Sequence, residues 1–141
     1  NDYYKMLEPF KNPNVKVVYG SRVLKKKKYS IKKSFQINFR VFANHVLTIF
    51  SNLINQQNLT DAHTCYKLFN SKLFKNLQLT ENDFGFCPEV TTKISNLNLS
   101  IFEVPISYNG RGYDEGKKIG INDAFRAFLV ILKYKFFKKF K

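Results

Sequence analysis

The longest regular pattern in the chain lies over residues 34–55, where Phe35, Phe39, Phe42, Val46, Ile49, Phe50 and Leu53 recur at steps of three and four. That period predicts an amphipathic α-helix. On another face of the same helix Arg40, Asn44 and Thr48, spaced i, i+4, i+8, form a polar row. Upstream, residues 15–19 (VKVVY) make a compact β-branched run ended by Gly20, the signature of a buried strand running into a loop. Between strand and helix, residues 20–33 (GSRVLKKKKYSIKK) carry six Lys and little periodicity, which predicts a solvated loop.

The remaining segments are shorter. Residues 2–10 (DYYKMLEPF) read as a helix ending at Pro9, with Tyr3, Met6, Leu7 and Phe10 on one side, and residues 12–14 (NPN) turn the chain. Residues 55–58 (NQQN) break the long helix, residues 59–69 are mixed, and a short helix is predicted at 71–76. Pro88 at a first-turn position with Glu89 behind it opens a helix to about Asn96. Residues 99–108 (LSIFEVPISY) alternate as a strand, with Pro105 arguing for an edge or a bulge. Residues 109–112 (NGRG) make a tight turn.

Residues 121–140 predict a final helix, with Asn122 as N-cap and Arg126 and Lys133 on a narrow polar stripe. Its longest charge-free apolar run, residues 127–132, is six residues and too short to span a bilayer. The tail KYKFFKKFK interleaves Lys with aromatics, as helices in a membrane interface do. A helix docked on its own core accounts for the apolar face equally well.

Charge narrows the partners. The chain has 141 residues, 44% hydrophobic and 24% charged, so it reads as globular rather than disordered or membrane-spanning, and 24 basic against 10 acidic residues give +14. Such an excess suggests a polyanion: nucleic acid, anionic lipid or a phosphorylated substrate. Yet the excess is 20 Lys and 4 Arg beside 15 Asn, 15 Phe and no Trp, a skew that resembles general compositional bias. More weight therefore falls on Arg22, Arg40, Arg111 and Arg126, whose planar forks grip phosphate as Lys cannot. Cys65 and Cys87 form no CxxC pair and no disulfide framework, which favours a reducing compartment. There is no initiator Met and no leader-like apolar segment, and the chain opens as though something upstream had been removed.

Five segments, in order, resemble a known family: residues 17–22 (VVYGSR), 40–44 (RVFAN), 60–67 (TDAHTCYK), 84–89 (FGFCPE), and 103–108 (EVPISY) followed by Arg111 and residues 115–119 (EGKKI). Together they resemble the C-terminal half of family 2 glycosyltransferases, most of all the dolichyl- or undecaprenyl-phosphate sugar transferases. The resemblance implies an α/β fold, the C-terminal part of a GT-A, Rossmann-like domain with a mostly parallel sheet. Residues 1–120 would be its acceptor-side half, lacking the nucleotide-binding half, and residues 121–141 a C-terminal amphipathic, membrane-interface helix. The implied activity is inverting transfer of a sugar from a nucleotide sugar to a polyprenyl phosphate or related saccharide acceptor. A divalent metal, Mg or Mn, would be held by an Asp-x-Asp upstream of this chain, so no metal ligand is assigned here and the isolated chain is expected to be inactive. The acidic triplet at Glu81-Asn82-Asp83 is read as solvated, not as that motif.

Carried over residue by residue, the resemblance assigns phosphate or acceptor contacts to Arg22, Arg40, Asn44 and Arg111, and the catalytic carboxylate to Asp61. A base is required when the nucleophile is a sugar hydroxyl; an acceptor phosphate is already anionic, and Asp61 would then orient and tune charge. Ser21, Glu89, Lys117 and Lys118 are secondary candidates, with Glu89 also explained as a first-turn Glu answering its helix dipole. Cys65 stands where most relatives carry Gly. His63, Cys65 and Cys87 lack the paired spacing of a zinc set, and a buried thiol beside an exposed His is the plainer reading. The implied location is the cytoplasmic face of a membrane, bound peripherally, with no nucleic acid. The alternative is a non-catalytic basic module, binding RNA through residues 25–28 or a membrane surface through the tail, but no RNA-recognition motif such as an RNP block accompanies the Lys run.

Overall fold

The computed structural model describes residues 2–24, 35–107 and 120–137. In chain order these form α1 (Asp2–Leu7), β1 (Val17–Ser21), α2 (Phe35–Asn55), β2 (Lys67–Phe69), α3 (Ser71–Asn76), α4 (Phe86–Asn96), β3 (Phe102–Pro105) and α5 (Ile121–Leu132), which continues as a π-turn over Lys133–Phe137. Short 3-10 turns follow α1 and precede α4.

The three strands pair in the order β2-β1-β3, antiparallel on one side of β1 and parallel on the other. The sheet is therefore mixed, where a mostly parallel one was expected. Every residue of β1 is buried, and its side chains alternate between two cores. Val17 and Tyr19 pack with Leu59, Ala62, Leu77, Val90 and Ile94, whereas Val18 packs with Met6, Val15 and Ile106. Helices thus cover both faces, the arrangement that makes a strand read as a continuous apolar run. β3 is an edge strand, which is where Pro105, with no N–H to donate, can sit.

Gly20 is required by close packing. A Cβ there would lie 2.8 Å from Ile106 Cγ2 and 2.9 Å from Tyr66 Cβ, so only a residue without one lets β1 close on the segments at both its sides. The strand also runs two residues past the predicted end, through Gly20 to Ser21.

Residues 88–95 of α4 (FCPEVTTKISN) are all buried despite the polar side chains among them. Its polar groups are answered one by one: Thr91 by the Tyr19 hydroxyl at 3.0 Å, Thr92 by Asn55 at 3.2 Å, and Ser95 by the Asn55 carbonyl at 2.7 Å. Glu89 sits 2.7 Å from Lys93 and accepts from the Thr80 and Glu81 amides at 3.0 and 2.7 Å. Satisfied in this way, the polar groups escape the cost of unpaired burial. α5 packs on α2 and α4, burying Ala127, Val130, Ile131 and Tyr134, and Phe128 stacks on Phe50 at 4.3 Å between ring centroids. Burying Val130 and Ile131 stabilises by about 1.5–3 kcal/mol each. The α5 N-cap is Gly120, not Asn122: the Asp123 carboxylate reaches back to the Gly120 N–H at 2.8 Å, which a cap two residues later would forbid.

Candidate functional site

At the carboxyl end of β1 the chain turns through Ser21 and Arg22. Ser21 Oγ accepts the amides of Val23 and Leu24, each at 3.2 Å, and shares a hydrogen bond with the Thr60 hydroxyl at 2.6 Å. This small cap sets the direction of Arg22. Its guanidinium makes a two-pronged contact with Asp61, Nε to Oδ2 at 2.6 Å and Nη2 to Oδ1 at 2.7 Å, and its backbone N–H adds a third bond at 3.1 Å. Asn44 Nδ2 from α2 donates to the same carboxylate at 3.3 Å. The Asp61 side chain is 1% exposed and that of Arg22 is 21%. Burial works to raise the Asp61 pKa, but the Arg22 and Asn44 donors and the guanidinium charge outweigh it, so the carboxyl stays below its ordinary value and ionised.

Two further devices hold the Asp61 loop. From β3, the Glu103 carboxylate accepts the Thr60 N–H at 2.8 Å and the Asp61 N–H at 3.0 Å. From α2, the polar row reaches the loop at successive turns. Asn44 meets Asp61, Thr48 Oγ1 accepts the Ala62 N–H at 3.4 Å, and Asn52 exchanges two bonds with the Leu59 backbone at 2.7 and 3.0 Å. Of the predicted row, Asn44 and Thr48 face the loop, and Asn52 continues the row by one turn. Arg40 belongs to it by spacing and lies on α2; its side chain is outside the described residues, as are Arg111, Lys117 and Lys118. β3, which precedes Arg111 in the chain, ends paired with Ser21.

Beneath the cluster, Lys67 donates to the Ala62 carbonyl at 2.8 Å and stands 3.5 Å from the centroid of the Tyr19 ring. Burial brings its pKa down to about 8. His63 points inward, with Nε2 buried and unpartnered; burial first, then Lys67, lowers its pKa to about 4, so it is neutral at pH 7. Cys65 is the exposed member of this loop and Cys87 is half-buried. That reverses the predicted exposed His and buried thiol, because the turn over residues 62–63 tucks the imidazole towards α2.

Glu89 serves another cluster. Burial raises its pKa, but Lys93 and the Glu81 and Thr80 amides bring it below the usual carboxylate value. Its neighbour Glu81 is not solvated as predicted: Lys133 at 2.5 Å and Arg126 at 3.6 Å, one apart by seven residues on the α5 stripe, both reach it. Among the described residues no three His, Cys, Asp or Glu side chains gather to hold a metal ion. The carboxylates of Asp61, Glu81, Glu89 and Glu103 are already engaged by cations or amides, so this part of the chain does not fit a divalent ion, and no step is derived through one.

A depression of about 450 Å³ lies elsewhere, lined by Asn55, Gln57, Ser95, Asn98 and Lys135 among others. Asn55 is eleven residues along α2 from Asn44, roughly 16 Å by helical rise, so this hollow is separate from the Asp61 cluster.

Sequence reasoning missed Glu103, Thr60, Asn52 and Lys67. Glu103 was within reach, since on an alternating edge strand a carboxylate flanked by Phe102 and Val104 faces the side opposite to both.

Fold and site together define a mixed α/β chain with a half-buried arginine paired to a buried carboxylate at the carboxyl end of its central strand, the place where open α/β sheets bind ligands. No family model matches this chain, and neither a curated protein nor a solved structure does.

Proposed function

We propose that this chain is the acceptor-side half of a GT-A type, family 2 sugar transferase, moving a sugar with inversion from a nucleotide sugar to a polyprenyl phosphate or related acceptor at a membrane surface. The observation that carries the reading is the convergence of Arg22, Asn44 and Asp61. They come from three separate segments of the resemblance and meet on one carboxylate. With its pKa lowered, Asp61 is a weak proton acceptor. That suits an acceptor already anionic as phosphate, towards which Asp61 aims Arg22 rather than abstracting a proton. The nucleotide and its divalent ion are assigned to residues outside this chain.

Peripheral attachment is supported by two exposed apolar stripes. Phe42, Val46, Ile49 and Leu53 are 47–76% exposed along α2, and Phe125, Leu129 and Phe136 are 48–62% exposed along α5. The two helices pack together. Among the described residues no helix is long and apolar enough to cross a membrane. Apolar surface of this extent beside abundant Lys fits an interfacial helix pair.

The test is transfer of radiolabel from nucleotide sugars to extracted polyprenyl phosphate by the full-length protein carrying this chain. Arg22→Lys and Asp61→Asn should each reduce transfer at least 100-fold, about 3 kcal/mol of transition-state stabilisation, while Lys26→Ala leaves it unchanged. Undiminished transfer by both site variants sinks the assignment, and transfer by the isolated 141 residues sinks the account of a missing half.

A further inference from the structure

The chain has only two cysteines in 141 residues, and the fold brings them together. Cys65 is exposed, four residues beyond Asp61 on the site loop; Cys87 is half-buried in the first turn of α4. The Cys87 Sγ lies 3.5 Å from the Thr64 carbonyl oxygen, the peptide group that leads directly into Cys65. No third ligand completes a metal set around them among the described residues. We propose that Cys65 and Cys87 form a reversible disulfide that ties the Asp61 loop to the start of α4.

The geometry divides the labour. Cys65 meets solvent and is the sulfur that encounters an oxidant. The hydrogen bond with Cys65 and burial push the Cys87 thiol pKa up, keeping it protonated until Cys65 has reacted. The Lys67 ammonium interacts with both sulfurs and favours negative charge there. With a peroxide as the two-electron oxidant, the Cys65 thiolate attacks one peroxide oxygen and the O–O bond breaks. The leaving hydroxide takes up the Cys65 proton as water, and Cys65 becomes a sulfenic acid. The Cys87 sulfur then displaces the sulfenic hydroxyl, forming the S–S bond and releasing a second water that carries the Cys87 proton. Two thiols are oxidised by two electrons and one peroxide is reduced to two waters. Closing the S–S bond at about 2.05 Å calls for a shift that the exposed loop can supply more readily than α4.

The cross-link joins the loop that carries Asp61 to a helix that packs against it and meets it through the Cys87–Thr64 contact. Oxidation therefore restricts the loop on which the Arg22–Asp61 pair depends, whatever reaction that pair serves.

The test treats the full chain with a small excess of hydrogen peroxide, blocks remaining thiols, and reads intact mass and peptide maps. The expected result is loss of two hydrogens per chain, one linked peptide containing Cys65 and Cys87, reversal by a phosphine reductant, and at least tenfold slower linkage in denaturant. Cys87→Ser should let Cys65 proceed to sulfinic acid, and Cys65→Ser should leave Cys87 reduced. Independent oxidation of the two sulfurs in the native chain overturns the proposal, as do chain-to-chain dimers through Cys65 or linkage equally fast in denaturant.

Discussion

At the scale of single residues, the Arg22–Asp61 pair is asymmetric. Asp61 is 1% exposed and Arg22 21%, so removing the arginine strands a buried carboxylate, while removing the carboxylate leaves a cation that can turn to water. Arg22→Ala is expected to cost about 3–5 kcal/mol and Asp61→Asn clearly less. The double variant should cost less than the sum, since each change removes the other's partner; urea unfolding of the four proteins measures the coupling. Asp61 and Arg22 were legible in the sequence as individual residues. Their mutual contact was not, because 39 residues separate them and no local rule relates a strand end to a distant loop. Gly20→Ala belongs to the same scale. Overpacking against Ile106 and Tyr66 should cost about 1–3 kcal/mol, seen as a lower Tm.

At the scale of elements, α2 does two jobs on two faces. One face clamps the site loop through Asn44, Thr48 and Asn52, and the other leaves Phe42, Val46, Ile49 and Leu53 exposed. Replacing Phe42 and Leu53 by Ser should leave the urea midpoint within about 0.5 kcal/mol of the parent, as surface changes do, yet markedly reduce sedimentation with anionic vesicles. Equal sedimentation would remove that stripe from the membrane reading. The end of α2 offers a cleaner stability test. Gln56 has φ 53° and the Gln57 N–H bonds the Asn52 carbonyl at 3.0 Å, the closing bond of a Schellman turn whose left-handed position favours glycine. Gln56→Gly is expected to stabilise by about 0.5–1 kcal/mol. The periodicity of residues 34–55 located α2 to within one residue of its start, and the 71–76 helix matches α3. β2 was missed because three residues carry too little pattern; its pairing with β1 makes it a strand.

At the scale of the whole molecule, the interior holds several ionisable groups whose protonation is set by folding. His63, with its pKa near 4 when folded against 6.5 otherwise, resists a proton that the unfolded chain accepts. Stability should therefore fall as pH drops from about 6.5 to 4, by roughly 3 kcal/mol. Below that, Asp61 and Glu89, both held under the ordinary carboxylate range by their cationic and amide partners, lose those partners as they protonate. Urea midpoints between pH 4 and 7 should be flatter for His63→Gln, which carries no titrating group. The same interior shows how the information is divided. Sequence alone determined the long helix, the buried strand, Pro105 at an edge or a bulge, and the Asn44 and Thr48 members of the polar row of α2, because periodicity, β-branching and the missing proline N–H act within a few residues. Tertiary structure decided that the polar α4 is buried, that Glu81 is paired with Arg126 and Lys133, that His63 turns in and Cys65 out, and that Arg22 and Asn44 share the Asp61 carboxylate. Those outcomes depend on which distant group satisfies each hydrogen bond and charge, and that is settled only when the chain closes on itself.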